Sequence, residues 1–428
     1  MLRPKTLVMR RNGLNQLQSG ADGSSAFSHG DTFNFSFVGI GSASPTQKVF
    51  SGGVDGIVEP LSVGATIPDG SGWLFTNAAH NPTVFSDSTR GKVMYNDYFA
   101  GVDIDATKAF NFAAPIGTGV ELYSTRLVRS EIKTTGDVDY PTANQLQHKQ
   151  LRYHASNSIS DTNDNTGTEL VSFNWLGGSG KQFRVETGDG FITGTATSGG
   201  ASTLTDTTKN WGVNTLVGRG CQLTGGTGSG QFIKVISNTA TTITMQYGWS
   251  TVPDATTTYR LESAVHYGAG SDTTINSGWE REEYFLTTNS VGSANGSFVK
   301  RVKNAAGVVE TIINLPTFNL YSGAGRINYA LFQDYFGNNA SAITSKKIYT
   351  DDIYHSVGTN KRLILTDRID DLDLATVYET QDYSSWAGDS VTGKINKGKV
   401  SSAGNYYICG VSGLKTIIWS QSVQLSGN

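Results

Sequence analysis

The chain is predicted to be all-β, and three observations lead there. Apolar residues recur with period two: Phe33, Phe35 and Phe37 alternate with Asn34, Ser36 and Val38, as on a half-buried strand. Glycine reaches 51 of 428 residues while charged residues make up 16%, against roughly a quarter in an average globular chain. That balance suits short strands joined by tight turns, since glycine supplies positive-φ positions and Thr, Tyr and Phe fit a pleated surface. No stretch of about a dozen residues keeps the 3.6-residue apolar period of a helix.

Residues 1–30 read as an arm. Arg3, Lys5, Arg10 and Arg11 precede the first acid, Asp22, and Ser19 to Ser28 has linker composition. The arm is either a basic strap that docks on a neighbouring subunit or a frayed terminus. Strand-like segments then follow at Trp73-Leu74-Phe75, Lys92 to Tyr98, Val120 to Val128, Glu169 to Trp175 and Gln182 to Glu186. Others lie at Trp279 to Thr287, Ser297 to Val302, Val308 to Ile313, Arg326 to Gln333, Lys347 to Val357 and Lys361 to Thr366. Many strands with few prolines and glycine turns predict a two-sheet jelly roll, first part 31–190 and second part 264–366. Residues 191–263 form a self-contained run of short strands and glycine turns between the two parts, in a place where folds accept insertions. From 367 to 428 the rhythm changes to Trp386, Ile395, Tyr406 to Val411 and Ile417 to Trp419, a further β unit too small to stand alone.

Three resemblances sit on these residues. Phe191 to Ser263 resembles a small β-module that recurs in structural proteins of tailed bacteriophages. It carries the likeness on Gly194 to Thr205, Lys209-Asn210-Trp211, Thr224 to Gln231, Ile236 to Ala240, Trp249 and Pro253-Asp254-Ala255-Thr256. Leu122-Tyr123-Ser124, Gly278 to Phe285, Asn328 to Phe336, Ile348 to Tyr354 and Arg362 to Leu365 look like the concanavalin A-like lectin/glucanase jelly roll. The C-terminal unit resembles a short immunoglobulin-like sandwich. The first resemblance implies a virion component, made in a bacterial host cytoplasm, whose partners are other capsid, neck or tail proteins and further copies of itself, with a trimer preferred.

Composition narrows the partners. The net charge of −3 argues against nucleic acid, which needs a basic surface. No apolar run approaches the roughly 18 residues of a membrane helix, so membrane insertion is not expected. Cys221 and Cys409, far apart in sequence, read as free buried thiols, and no Cys/His zinc spacing exists.

For chemistry, Arg129-Ser130-Glu131 matches by type the Arg-x-Glu strand motif of alginate-lyase-like members of the jelly-roll superfamily, with His148 as the accompanying base. In that likeness Arg neutralises a uronate carboxylate while His or Tyr moves the proton. Gln145-Leu146-Gln147-His148 departs from the family's Gln-x-His spacing by one residue, which on a strand moves the His to the other face. The alternative is a salt bridge between Arg129 and Glu131. Glu280, Glu282 and Glu283 are candidates for a hydrolytic carboxylate pair or simply a solvated charged face. Asp161, Asp164 and Asp351 are the oxygen ligands open to a structural calcium, although the Asp161 loop lacks the glycine and glutamate of an EF-hand. For Asp351-Asp352, amide capping by an inward-facing carboxylate is the favoured role. No other cofactor is expected. Trp73, Trp211, Trp249, Tyr321, Tyr335 and Trp386 lie beside turns, where a ring stacks on a sugar or fills a core. The expectation is therefore a non-catalytic virion protein of head, collar or tail, with surface-glycan binding as an added role. A receptor-binding lectin and a polysaccharide lyase stand as alternatives.

Overall fold

The computed structural model describes residues 5–8, 26–36, 47–51, 74–75, 82–99, 108–134, 147–154, 169–176, 182–186, 192–217, 219–268, 278–290, 293, 295–318, 327–337, 343–388 and 390–427. The described strands form four sheets. An eight-stranded sheet runs β21 (Val309–Phe318), β20 (Gly296–Lys303), β19 (Glu280–Thr287), β8 (Glu121–Thr134), β23 (Ile343–Val357), β6 (Gly91–Phe99) and β5 (Thr83–Asp87), with β3 (Gln47–Ser51) also on β23. A thirteen-stranded sheet begins β13 (Ser198–Gly200), β14 (Thr203–Thr205), β17 (Thr242–Met245), β16 (Phe232–Asn238), β15 (Arg219–Gly225) and β18 (Thr258–Gly268). It continues through β11 (Gln182–Glu186), β10 (Glu169–Leu176), β9 (Gln147–His154), β22 (Ile327–Gly337), β7 (Lys108–Ile116) and β4 (Leu74–Phe75), with β12 (Ile192–Thr195) also on β18. Two four-stranded sheets are β1 (Lys5–Val8), β2 (Thr32–Ser36), β27 (Ser390–Lys394), β26 (Tyr383–Ala387), and β25 (Tyr378–Gln381), β24 (Arg362–Thr366), β28 (Gly404–Ser412), β29 (Thr416–Leu425). The fold is all-β, a jelly-roll sandwich, and its one described helical turn is the 3₁₀ segment Leu372–Leu374.

Strand alternation decides what each face of the eight-stranded sheet meets. On β8 and β19, Ser124, Arg126, Glu282 and Tyr284 point to the thirteen-stranded sheet, while Tyr123 and Glu283 point the other way. The sandwich interior closes on rings from both sheets: Tyr284 and His355 lie 6.1 and 5.1 Å from the Phe332 ring. The opposite face of the eight-stranded sheet is covered by the C-terminal unit, so β8 and β19 are buried on both sides, as the near-complete burial of β19 records.

The C-terminal unit extends beyond 367–428. β2 pairs with β27 in register Phe33↔Gly393 and Phe35↔Val391, and β24 pairs with β25 and β28. Phe33 and Phe35, stacked at 4.7 Å, belong to its core with Trp386, Ile408 and Trp419. Both rings are essentially water-free, each contributing about 1.5–3 kcal/mol. The sequence-based boundaries at 31 and 366 therefore shift: residues 27–36 and 362–366 serve this sandwich, not the jelly roll. Period two identifies a strand but not its partner.

Residues from Ala196 to Leu261 gather a hydrophobic cluster of their own around Leu204, Leu223, Val235, Ile243 and Tyr259. This module is not set apart from the sheet. β18 pairs with β15 and β12 at its start and with β11 at its end, which carries the module's ladder into the jelly roll.

Candidate functional site

The thirteen-stranded sheet carries a bulge on β9 near its middle. On β9, Gln150 and Leu151 face a shift in both neighbouring ladders: β10 steps from Ser172↔Arg152 to Asn174↔Lys149, and β22 from Phe332↔Leu151 to Tyr335↔Lys149. Bulges re-aim strands and recur beside functional sites. Past it the register places Tyr335, Lys149, Asn174, Arg184 and His266 in one row across β22, β9, β10, β11 and β18. Two basic residues, a tyrosine, a histidine and an amide thus occupy a row five strands wide.

Beneath the bulge, β9 is anchored to the other sheet twice. Lys300 on β20 donates to Gln150 Oε1 and lies 3.5 Å from Glu282 Oε1. Glu282 in turn accepts from Arg126 Nε at 2.6 Å. Burial alone would raise the Glu282 carboxyl; the charges of Arg126 and Lys300 overcome it and hold the group below the usual carboxylate range. Burial also lowers the Lys300 ammonium, against the pull of Glu282. Second, Tyr153 and Ser124 hydroxyls meet at 2.7 Å, and Ser124 Oγ sits 2.7 Å from His355 Nδ1. Burial pushes the His355 pKa down to about 3, so this imidazole is neutral. The Ser-His contact is enclosed, with Ser124 and His355 each about 1% exposed, and no substrate reaches it.

On the far side of the eight-stranded sheet, guanidiniums and carboxylates join the jelly roll to the C-terminal unit. Arg90 lies 2.8 Å from Asp351, 3.0 Å from Asp352 and 2.8 Å from Glu379. Asp352 has φ +48°, a left-handed backbone at the bulge of β23 that turns both aspartates to this face. Burial, then repulsion from Asp352, pushes the Asp351 carboxyl up to about 7 despite Arg90. Glu283 accepts from Tyr123 at 2.8 Å and Tyr378 at 3.0 Å, and pairs with Arg362 at 3.2 Å.

The sequence-derived candidates fall as follows. Arg129 lies on this far face, 3.1 Å from Asp87 and 2.9 Å from Glu131, with its guanidinium 3.8 Å from the Tyr349 ring centroid. His148 is on β9 in the other sheet, so the expected Arg129–Glu131–His148 site is not assembled; the arginine is consumed in ion pairs. Glu280, Glu282 and Glu283 are all buried, Glu282 and Glu283 by counterions, which corrects both the hydrolytic pair and the solvated face. Asp351 accepts from Arg90 Nε at 2.8 Å and from the backbone amide of Asp352, so its carboxylate is held by an ion pair as well as an amide. No group of three acidic, His or Cys side chains among the described residues is placed to hold a metal. Trp249 is buried with its indole N–H donating to Thr203 O at 3.1 Å; Trp211 packs against the module core, and Trp386 lies 5.5 Å from Trp419 inside the C-terminal core. Lys5 lies on β1, which pairs in parallel with β2. Trp73, Tyr321, Arg3, Arg10, Arg11, Asp161 and Asp164 lie outside the described residues. Both cysteines are free and buried. Sequence reasoning placed Tyr335 near sugar but missed Lys149, Arg184 and His266, whose alignment exists only once five distant strands pair.

No protein-family profile and no curated protein matches the chain. Among solved structures it is similar to a marine PL-14 alginate lyase from Aplysia kurodai, at 12% identity over 73% of this chain and 99% of that one, TM-score 0.38. An endo-β-1,4-glucuronan lyase from the fungus Trichoderma reesei follows at 7% identity, 73% and 95% coverage, TM-score 0.34. The receptor binding domain of botulinum neurotoxin type G covers 82% of this chain and 75% of that one, at 8% identity and TM-score 0.27. The expectation of a non-catalytic protein is corrected at this point, because polysaccharide lyases stand among the structures it is similar to. Likeness this distant assigns no activity, which must be argued from the residues themselves.

Proposed function

We propose that the chain acts on acidic polysaccharide, binding it along the cross-strand row of the thirteen-stranded sheet and cleaving it by β-elimination. The row of Tyr335, Lys149, Asn174, Arg184 and His266 carries this reading. Cleavage of a 4-linked uronate needs a cation or amide at the carboxylate to make the C5 proton acidic, and a base to take it. The electron pair left at C5 forms the C4=C5 double bond, the C4–O bond breaks, and the departing oxygen takes a proton. Lys149, Asn174 and Arg184 suit the first task, Tyr335 and His266 the second. The network under β9 supports the reading by fixing the strand that carries Lys149. Incubation with polymannuronate, polyguluronate and polyglucuronate, followed by ultraviolet absorbance of the unsaturated product, tests it. Activity on one polymer that is lost in Lys149→Ala and Tyr335→Phe is expected; no product from any of the three overturns it.

A second reading concerns location. The module at Phe191 to Ser263 favours a place on a bacteriophage particle, where such an activity would open a capsular or surface glycan. Antibody-gold labelling of particles from the source lysate tests it, and unlabelled particles would end it.

A further inference from the structure

A cleft of about 370 Å³ opens on the other face of the eight-stranded sheet, where the C-terminal unit meets β19 and β20. That volume lies in the usual range for small-ligand pockets. Four basic residues line it, Arg90, Arg281, Lys303 and Lys399, with a single carboxylate, Glu379. The arginines are committed. Arg90 pairs with three acids, and Arg281 donates to Thr380 Oγ1 at 2.9 Å and lies within 3.5 Å of Asp352 and Glu379.

The two lysines are not. Lys303 donates to the main-chain oxygens of Asp373 (3.2 Å) and Ala375, which accept a hydrogen bond but carry no full charge. Lys399 is exposed, and among the described residues its ammonium has no hydrogen bond or ion pair. Burial lowers the Lys303 pKa and the charge of Lys399 lowers it further, against the pull of Asp373 and Asp367. An anion between them would relieve that repulsion.

Beside them the cleft presents aromatic surface. Trp279 and Tyr378 line it, both half-buried. The turn Asn304 to Gly307 forms one rim, with Gly307 at φ +82°, and its Ala305 seats so tightly on Gly278 that a Cβ there would collide with the Ala305 methyl. The rim is thus built from small residues, and beside it Trp279 is held by its indole N–H, 3.4 Å from Asp87 Oδ1, with the Arg129 guanidinium 5.8 Å from its ring centroid.

We infer that this cleft binds one uronate unit, its carboxylate between Lys303 and Lys399 and its ring against Trp279. It lies on the opposite side of the eight-stranded sheet from the thirteen-stranded one, so the site stands whether or not the cross-strand row is catalytic. The pairing of charge with an aromatic face selects a charged sugar over a neutral one, because an apolar ring face and a carboxylate are satisfied together.

Calorimetric titration of the full chain with glucuronate, glucose and inorganic sulfate tests this. Glucuronate should bind while glucose does not, and Lys399→Gln, at an exposed position, should weaken binding about tenfold. Trp279→Leu should weaken glucuronate further, and glucuronate binding indifferent to both Lys399→Gln and Trp279→Leu would place it elsewhere on the chain and overturn the inference. Absence of glucuronate binding, or equal binding of glucose, would overturn the inference. Sulfate binding as tight as glucuronate, indifferent to Trp279→Leu, would reduce the cleft to a simple anion site and equally overturn it.

Discussion

Lys300 on β20 reaches across the sandwich to donate to Gln150 on β9, at the bulge that shifts the ladder beneath Lys149. Both residues are about 1% exposed or less. Such a contact ties one sheet to the other by a charged group that water cannot replace.

Removing one charged member of this network should therefore cost more than removing all three. Lys300→Met leaves Glu282 with Arg126 as its remaining cation and Gln150 without its donor. Breaking a buried pair typically costs about 3–5 kcal/mol, whereas replacing both partners by apolar groups is often near neutral. Urea denaturation should show Lys300→Met strongly destabilised and Lys300→Met with Glu282→Leu and Arg126→Met largely restored. A single mutant within about 1 kcal/mol of the parent would mean that the network contributes little.

How much of this was legible in the sequence follows from what each signal encodes. Phe33 and Phe35 announced a strand because alternation is local, yet their partners Gly393 and Val391 stand more than 350 residues on, and no pattern names them. Glu280-Arg281-Glu282-Glu283 looked like a solvated face because four charges in a row usually are. The counterions of Glu282 and Glu283 come from Arg126, Lys300, Arg301 and Arg362, which are brought there by strand order alone. Arg129 and Glu131, two apart on one strand, were readable as a pair for the opposite reason. The cross-strand row draws on β22, β9, β10, β11 and β18, so its signal is a property of pairing and register rather than of any segment.

Stability against pH should reveal two buried groups acting in opposite directions. His355 holds a pKa of about 3, below the ordinary 6.5, so from about pH 6.5 downward the unfolded chain takes up a proton that the native one refuses. Stability from this group is present above that pH and lost as pH falls. Asp351 is raised to about 7, so the native state keeps a proton that the unfolded chain releases near pH 4, and stability from this group is lost as pH rises through 7. Glu379, raised chiefly by burial, acts in the same sense. Each full proton difference is a slope of about 1.4 kcal/mol per pH unit. Between about pH 4.5 and 6.5, Asp351→Asn should therefore give a profile that rises with pH relative to the parent, and His355→Gln one that falls. Parallel profiles for all three proteins would show that neither group titrates as its surroundings dictate.

The module's core turns on one polar contact, between Tyr259 and Asp206. Tyr259 OH donates to Asp206 Oδ2 at 2.7 Å, and Thr208 supplies Asp206 with two further bonds at 2.6 and 3.0 Å. These bonds hold the Asp206 carboxyl below its ordinary range although burial pushes the other way. Gly194 packs against the same pair so closely that a Cβ there would collide with the Tyr259 ring and the Asp206 carboxylate. Two substitutions should separate the chemistry from the space. Tyr259→Phe removes one donor and keeps the ring, costing about 1 kcal/mol. Gly194→Ala keeps every donor but forces the backbone of β12 away from β18, and overpacking of this kind costs about 1–3 kcal/mol. Because β18 continues from the module into the ladder with β11, the second change should also speed amide exchange at Arg184 and Val185, beyond the module. Exchange confined to residues 192–263 would mean that the two ends of β18 open independently.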